Sequence, residues 1–106
     1  MSQKQSSRIA FVGSGVMAEV MINGLLSRQV REPDEIWASG PREERTAALR
    51  ETYGIHASTD NLEAVSHGDI VVLAVKPQTL AKVLQQIQTG IRQKHLVMSI
   101  IAGARG

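Results

Sequence analysis

The chain has 106 residues, 42% of them apolar and 21% charged, which suits one folded core and excludes a disordered chain. Twelve Lys and Arg against ten Asp and Glu leave a net charge of +2 without a basic run, and Phe11, Trp37 and Tyr53 are the only aromatic residues, so a nucleic-acid partner is not expected. There is no cysteine, which removes disulfides, thiolate metal sites and cysteine nucleophiles, and no apolar stretch reaches the ~20 residues that cross a bilayer.

Residues Met1–Ser7 read as a polar tail without the apolar core of a signal peptide, and a cytoplasmic protein is the expectation. Arg8–Val12 is a short apolar run with β-branched and aromatic members, a first strand. Beyond Gly13–Gly15, the residues Met17, Val20, Met21, Gly24 and Leu25 recur at helical spacing and predict a first helix to about Arg28, with Met17 and Met21 on its core face. A charged turn around Pro33 leads to a second strand, Ile36–Ser39. Pro41 is expected at the first position of a second helix that ends near Tyr53, with Gly54 as its cap.

Ile55–Ala57 reads as a third strand, and Asp60 as the N-cap of a small helix over Asn61–Ser66. Ile70–Val75 is unbroken and apolar, as a parallel strand covered on both faces should be. Pro77 starts another helix, with Leu80, Val83, Leu84, Ile87 and Ile91 on its buried side, and Leu96–Ile101 is a fifth strand. Strictly alternating strands and helices require a parallel α/β sheet. Right-handed crossovers then give the order 3-2-1-4-5, a doubly wound Rossmann-type fold with helices on both faces. His56, His67 and His95 are scattered and read as surface residues, and no spacing suggests a metal.

Gly13-Ser14-Gly15-Val16-Met17-Ala18 has the form G-x-G-x-x-A between a predicted strand and a predicted helix. Gly13 allows a tight turn, Gly15 lets a pyrophosphate approach the backbone, and Ala18 keeps the helix close to the sheet. The helix N-terminus would then face the phosphates. A strand–helix turn with glycines for geometry alone is the competing reading.

An NAD site usually ends the second strand on Asp or Glu, which binds the ribose 2′-OH. Here Ser39, Gly40 and Arg42 offer a hydroxyl, an N–H and a guanidinium, groups suited to a 2′-phosphate. NADP is therefore the expected cofactor, with NAD possible. Arg42 and Arg45 can equally be solvated residues of a helix start. Ala74, Val75, Lys76 and Pro77 follow the fourth strand toward the same crevice, where Lys76 could reach a ribose or phosphate. Ala102 and Gly103 close the fifth strand with small residues, beside which a nicotinamide could lie flat.

The segments Arg8–Leu26, Ile36–Arg45, Ser58–Gln78 and Leu96–Gly103 together resemble pyrroline-5-carboxylate reductase, in order and at that family's spacing. The resemblance implies an NAD(P)H-dependent reduction of a C=N bond, that of Δ1-pyrroline-5-carboxylate, to L-proline in amino-acid biosynthesis. It assigns Ser14, Gly15, Val16, Met17 and Ala18 to the pyrophosphate, Ser39 to the adenosine ribose and Asn61 to the adenosine. It places Ala74–Pro77 toward the nicotinamide ribose and Ser99–Gly103 near the ring. It assigns no catalytic residue to this chain. The family continues into a helical domain that dimerises and binds the imine substrate, so residues 8–106 correspond to its cofactor domain, expected to be inactive alone. The parent would be a homo-oligomer, and a bare fifth-strand edge would let the fragment pair with a second copy. A related imine or 3-hydroxyacid dehydrogenase, or a non-catalytic NADP sensor, is the alternative.

Overall fold

In the computed structural model, residues 7–13, 15–91 and 96–99 are described. Five parallel strands run β1 (Ile9–Val12), β2 (Ile36–Ser39), β3 (His56–Ser58), β4 (Ile70–Leu73) and β5 (Leu96–Ser99). The helices between them are α1 (Val16–Ser27), α2 (Glu43–Tyr53), α3 (Asn61–His67) and α4 (Pro77–Ile87). Short 3-10 turns occupy Pro33–Glu35 and Gln88–Gly90. The strand order is β3-β2-β1-β4-β5, as the crossover rule requires. Register is continuous across the centre: Phe11 pairs with Ala38 on one side and Val72 on the other.

Alternation along β1 divides the core in two. Ile9 and Phe11 pack with Ala18 and Ile22 of α1, Leu49 of α2 and Ile36 of β2. Val12 faces the other way, against Val65 of α3 and Val83 and Ile87 of α4. Phe11, Val12, Ile22 and Ile87 are fully buried, each contributing about 1.5–3 kcal/mol relative to an exposed side chain. Helices thus cover both faces of the sheet, which is why β1 and β4 are apolar throughout.

Several element details differ from the sequence expectation. The inward stripe of α1 is Ala18, Met21, Ile22, Leu25 and Leu26, whereas Met17 and Val20 are 41% and 60% exposed. Ala18 seats the helix on the sheet, and a residue one position away is turned by about 100°. Leu84 is likewise 41% exposed, because Val83 and Ile87 take the inward face of α4. α2 starts at Glu43, not Pro41: the Gly40 N–H still donates to the Ser58 carbonyl at 3.2 Å, so the chain stays extended through Arg42. β3 is shifted by one residue, since Ile55 is buried in the core ahead of it. β4 ends at Leu73, and Ala74 makes one last bond to the Val12 carbonyl at 2.8 Å. Gly54 caps α2 in the left-handed conformation, as expected. The expected end of the fifth strand, Ile100–Ile101, lies outside the described residues.

Candidate functional site

The carboxyl ends of β1, β2 and β4 meet where the chain switches from one face of the sheet to the other, the usual ligand crevice of such a fold. Gly13 is held there at φ 109°, its N–H donating to the Ser39 carbonyl at 2.8 Å. A Cβ on Gly13 would lie 2.3 Å from the Ala74 carbonyl oxygen, so this glycine is required by the fold itself. Gly15 is different. Its φ of −80° suits any residue, and a Cβ there would meet nothing within 4 Å. The space above it is open crevice.

Gly15 is the N-cap of α1, Arg42 of α2 and Lys76 of α4, and none of the three makes a side-chain cap bond. All three border one cavity of about 580 Å³, together with Pro41, Glu44 and Arg45. Three helix N-termini, that of α4 opened by Pro77 without an N–H of its own, therefore bring their positive dipole ends to the border of a single space. Among the described residues, the Arg42 and Lys76 side chains have no hydrogen-bond or ion-pair partner. Positive charge and helix-start N–H groups are the features that suit an anion. A smaller cavity of about 240 Å³ adjoins it across Pro41, bordered by Gly13, Asn61, Val75, Lys82 and Gln86.

The residues expected from sequence are distributed unevenly around this crevice. Val16 and Met17 are exposed on the first turn of α1, while Ala18 is buried against the sheet. Ser39 is fully buried, and its hydroxyl donates to Asn61 Oδ1 at 2.7 Å instead of projecting into the crevice. Asn61 in turn donates from Nδ2 to Gln86 Oε1 at 2.7 Å. The Gly40 N–H is taken up by Ser58. Of the three residues anticipated after β2, only Arg42 borders the larger cavity. Ala74 packs under Gly13, Val75 borders the smaller cavity and Pro77 opens α4. Ser14, Ala102 and Gly103 lie outside the described residues.

Two clusters escape the sequence. Glu19 of α1 binds Arg45 of α2 through one carboxylate oxygen and accepts the Tyr53 hydroxyl at 2.8 Å through the other. The Tyr53 hydrogen bond, then Arg45, holds the Glu19 carboxyl below its usual range, and the same bond raises the Tyr53 phenol. Trp37 is stacked between His56 at 4.7 Å and His67 at 4.2 Å, so two histidines far apart in sequence share one indole. The Trp37–His56 pair follows from β2–β3 register and could have been anticipated; the approach of α3 could not.

The family model for NADP oxidoreductase, coenzyme F420-dependent, matches residues 8–103. The chain belongs to that family. Over 97 residues it is 39% identical to pyrroline-5-carboxylate reductase 2 of Bacillus subtilis, covering 91% of this chain and 34% of that protein. It is 38% identical over 99 residues to the Methanosarcina acetivorans pyrroline-5-carboxylate reductase, covering 93% of the chain and 37% of the relative. The solved structure of a Coxiella burnetii pyrroline-5-carboxylate reductase superposes with a TM-score of 0.86 at 30% identity, again covering 93% of this chain and 37% of that one. The chain thus resembles the N-terminal NAD(P)-binding domain of these reductases and spans about a third of their length. No helix among the described residues is long and apolar enough to cross a membrane.

Proposed function

We propose that the crevice binds NADP(H) and that the chain is the cofactor domain of a reductase that converts 1-pyrroline-5-carboxylate to L-proline. The carrying observation is the convergence of three uncapped helix N-termini on one cavity with the unpaired Arg42 and Lys76 at its rim. The open space over Gly15 fits a pyrophosphate, which the first-turn N–H groups of α1 would receive. Arg42, at the end of the β2 connection, is placed for a 2′-phosphate, and no carboxylate stands between Ile36 and Arg42 to prefer a free 2′-hydroxyl. Ser39, through Asn61, ties the β2 and β3 connections together and shapes the adenosine side.

When bound, the nicotinamide cofactor supplies the hydride. This chain's part is to fix it in place, because hydride transfer depends on tightly held geometry. The substrate assignment rests on relatives at 38–39% identity. Calorimetric titration of the chain is expected to show NADP+ binding about tenfold or more tighter than NAD+, the ratio one charge-assisted bond supplies. Equal affinities would overturn the 2′-phosphate assignment. Substituting this chain for the matched segment of the Bacillus subtilis relative should preserve NADPH-dependent proline formation; a folded chimera without that activity would refute the substrate reading.

A further inference from the structure

Arg42 and Arg45 lie one turn apart at the start of α2, and both border the anion cavity, yet their surroundings differ. Arg42 has no partner among the described residues. Arg45 meets a carboxylate of α1, Glu19, with both side chains about one-third exposed at 32% and 34%. The second Glu19 oxygen is occupied by the Tyr53 hydroxyl, two turns further along α2. Glu19 itself stands one turn after Gly15, next to the opening of the site. A carboxylate gripped from two sides keeps its charge and its place. Its hold below the ordinary carboxyl range is consistent with that geometry.

We propose that Glu19 is a specificity-setting positioning residue: gripped by Tyr53, it offsets the charge of Arg45 at the cavity wall and leaves Arg42 and Lys76 as the unpaired cations, thereby limiting how strongly a cofactor that carries a 2′-phosphate is preferred over one that does not. The proposal rests on the NADP(H) reading of the crevice. An arginine already paired gains little from a phosphate, because the new contact is offset by the loss of the old one. The fixed positive charge offered to the ligand is therefore smaller than the count of cavity arginines suggests. Glu19→Gln keeps the shape and an acceptor oxygen but removes the negative charge that offsets Arg45.

The test is calorimetry with NADP+ and with NAD+ on the chain and its E19Q, R45Q and E19Q/R45Q variants, with circular dichroism to confirm folding. E19Q is expected to tighten NADP+ about two- to fivefold while changing NAD+ less than about twofold, as a partly exposed charge pair allows. The gain should vanish in E19Q/R45Q, which shows that it passes through Arg45. Unchanged or weaker NADP+ binding by E19Q overturns the proposal, as does a gain that survives removal of Arg45. Should E19Q fail to fold, R45Q alone decides: NADP+ affinity within about twofold of the parent supports the pairing, and any larger loss refutes it. Absence of binding of either nucleotide to the parent chain would refute the crevice reading itself, and with it the proposal, before any variant is made.

Discussion

Two cavities of this molecule have the same volume, about 580 Å³, and opposite chemical character. One lies at the far end, between the last turns of α1 and α2, bordered by Leu26, Arg31, Pro33 and Tyr53. Several of its polar groups are already engaged. Arg31 donates to the Ser7 carbonyl at 2.7 Å and the Val30 carbonyl at 2.9 Å. The N–H groups of Arg28, Gln29 and Val30 close the last carbonyls of α1, and Glu32 and Glu35 cap each other's turn. The other cavity is bordered by three uncapped helix starts and two unpaired cations. Size does not separate them; unsatisfied hydrogen bonding and charge do.

That contrast breaks most sharply at the glycines. Gly15→Val is expected to weaken NADP+ binding at least about 100-fold, the loss of roughly two charge-assisted bonds, while the circular dichroism melt stays near that of the parent. Normal binding by the folded variant would remove the phosphate assignment. Gly13→Ala should do the reverse and destabilise the fold by about 1–3 kcal/mol or more, because its Cβ would collide with Ala74 at a strained φ. Next in size, Arg42→Gln should weaken NADP+ about 10- to 100-fold and leave NAD+ unchanged in parallel titrations. A loss shared by both cofactors would move Arg42 to the pyrophosphate.

At the far cavity, Arg31→Ala should cost about 1 kcal/mol of stability by denaturant unfolding, with NADP+ affinity unaltered. A change in affinity there would show that the two ends are coupled. The smallest effect concerns pH. The Glu19 carboxyl is lowered in the folded chain, so its contribution is complete above the unfolded carboxyl value and fades as pH falls through the folded one. The Tyr53 phenol is raised, so its contribution is complete below the unfolded phenol value and fades as pH rises through the folded one. Thermal melts should therefore show acid and alkaline losses, and Tyr53→Phe should remove the alkaline one and reduce the acid one.

The sheet was legible because each of its signals is local. The apolar run Ile70–Leu73 and the glycine turn after Val12 each identify an element without reference to the rest of the chain. The rotation of α1 was not, since Met17 and Ala18 fit helical stripes equally well and only the contact of Ala18 with the sheet decides between them. At the site, the turn and Arg42 could be read directly. The engagement of Ser39 by Asn61, of Gly40 by Ser58 and of Arg45 by Glu19 could not, because each partner lies 18 to 26 residues away and no sequence spacing encodes it.

The indole sandwich on the β2–β3 edge has an optical consequence. Trp37 is the only tryptophan in the chain, and it borders neither of the crevice cavities. All tryptophan emission therefore comes from one spot, with an imidazole on each face. Loss of the two stacks on unfolding changes the surroundings of that emitter. The molecule thus carries its own emitter for the state of one sheet edge, distinct from the place where a nucleotide would bind.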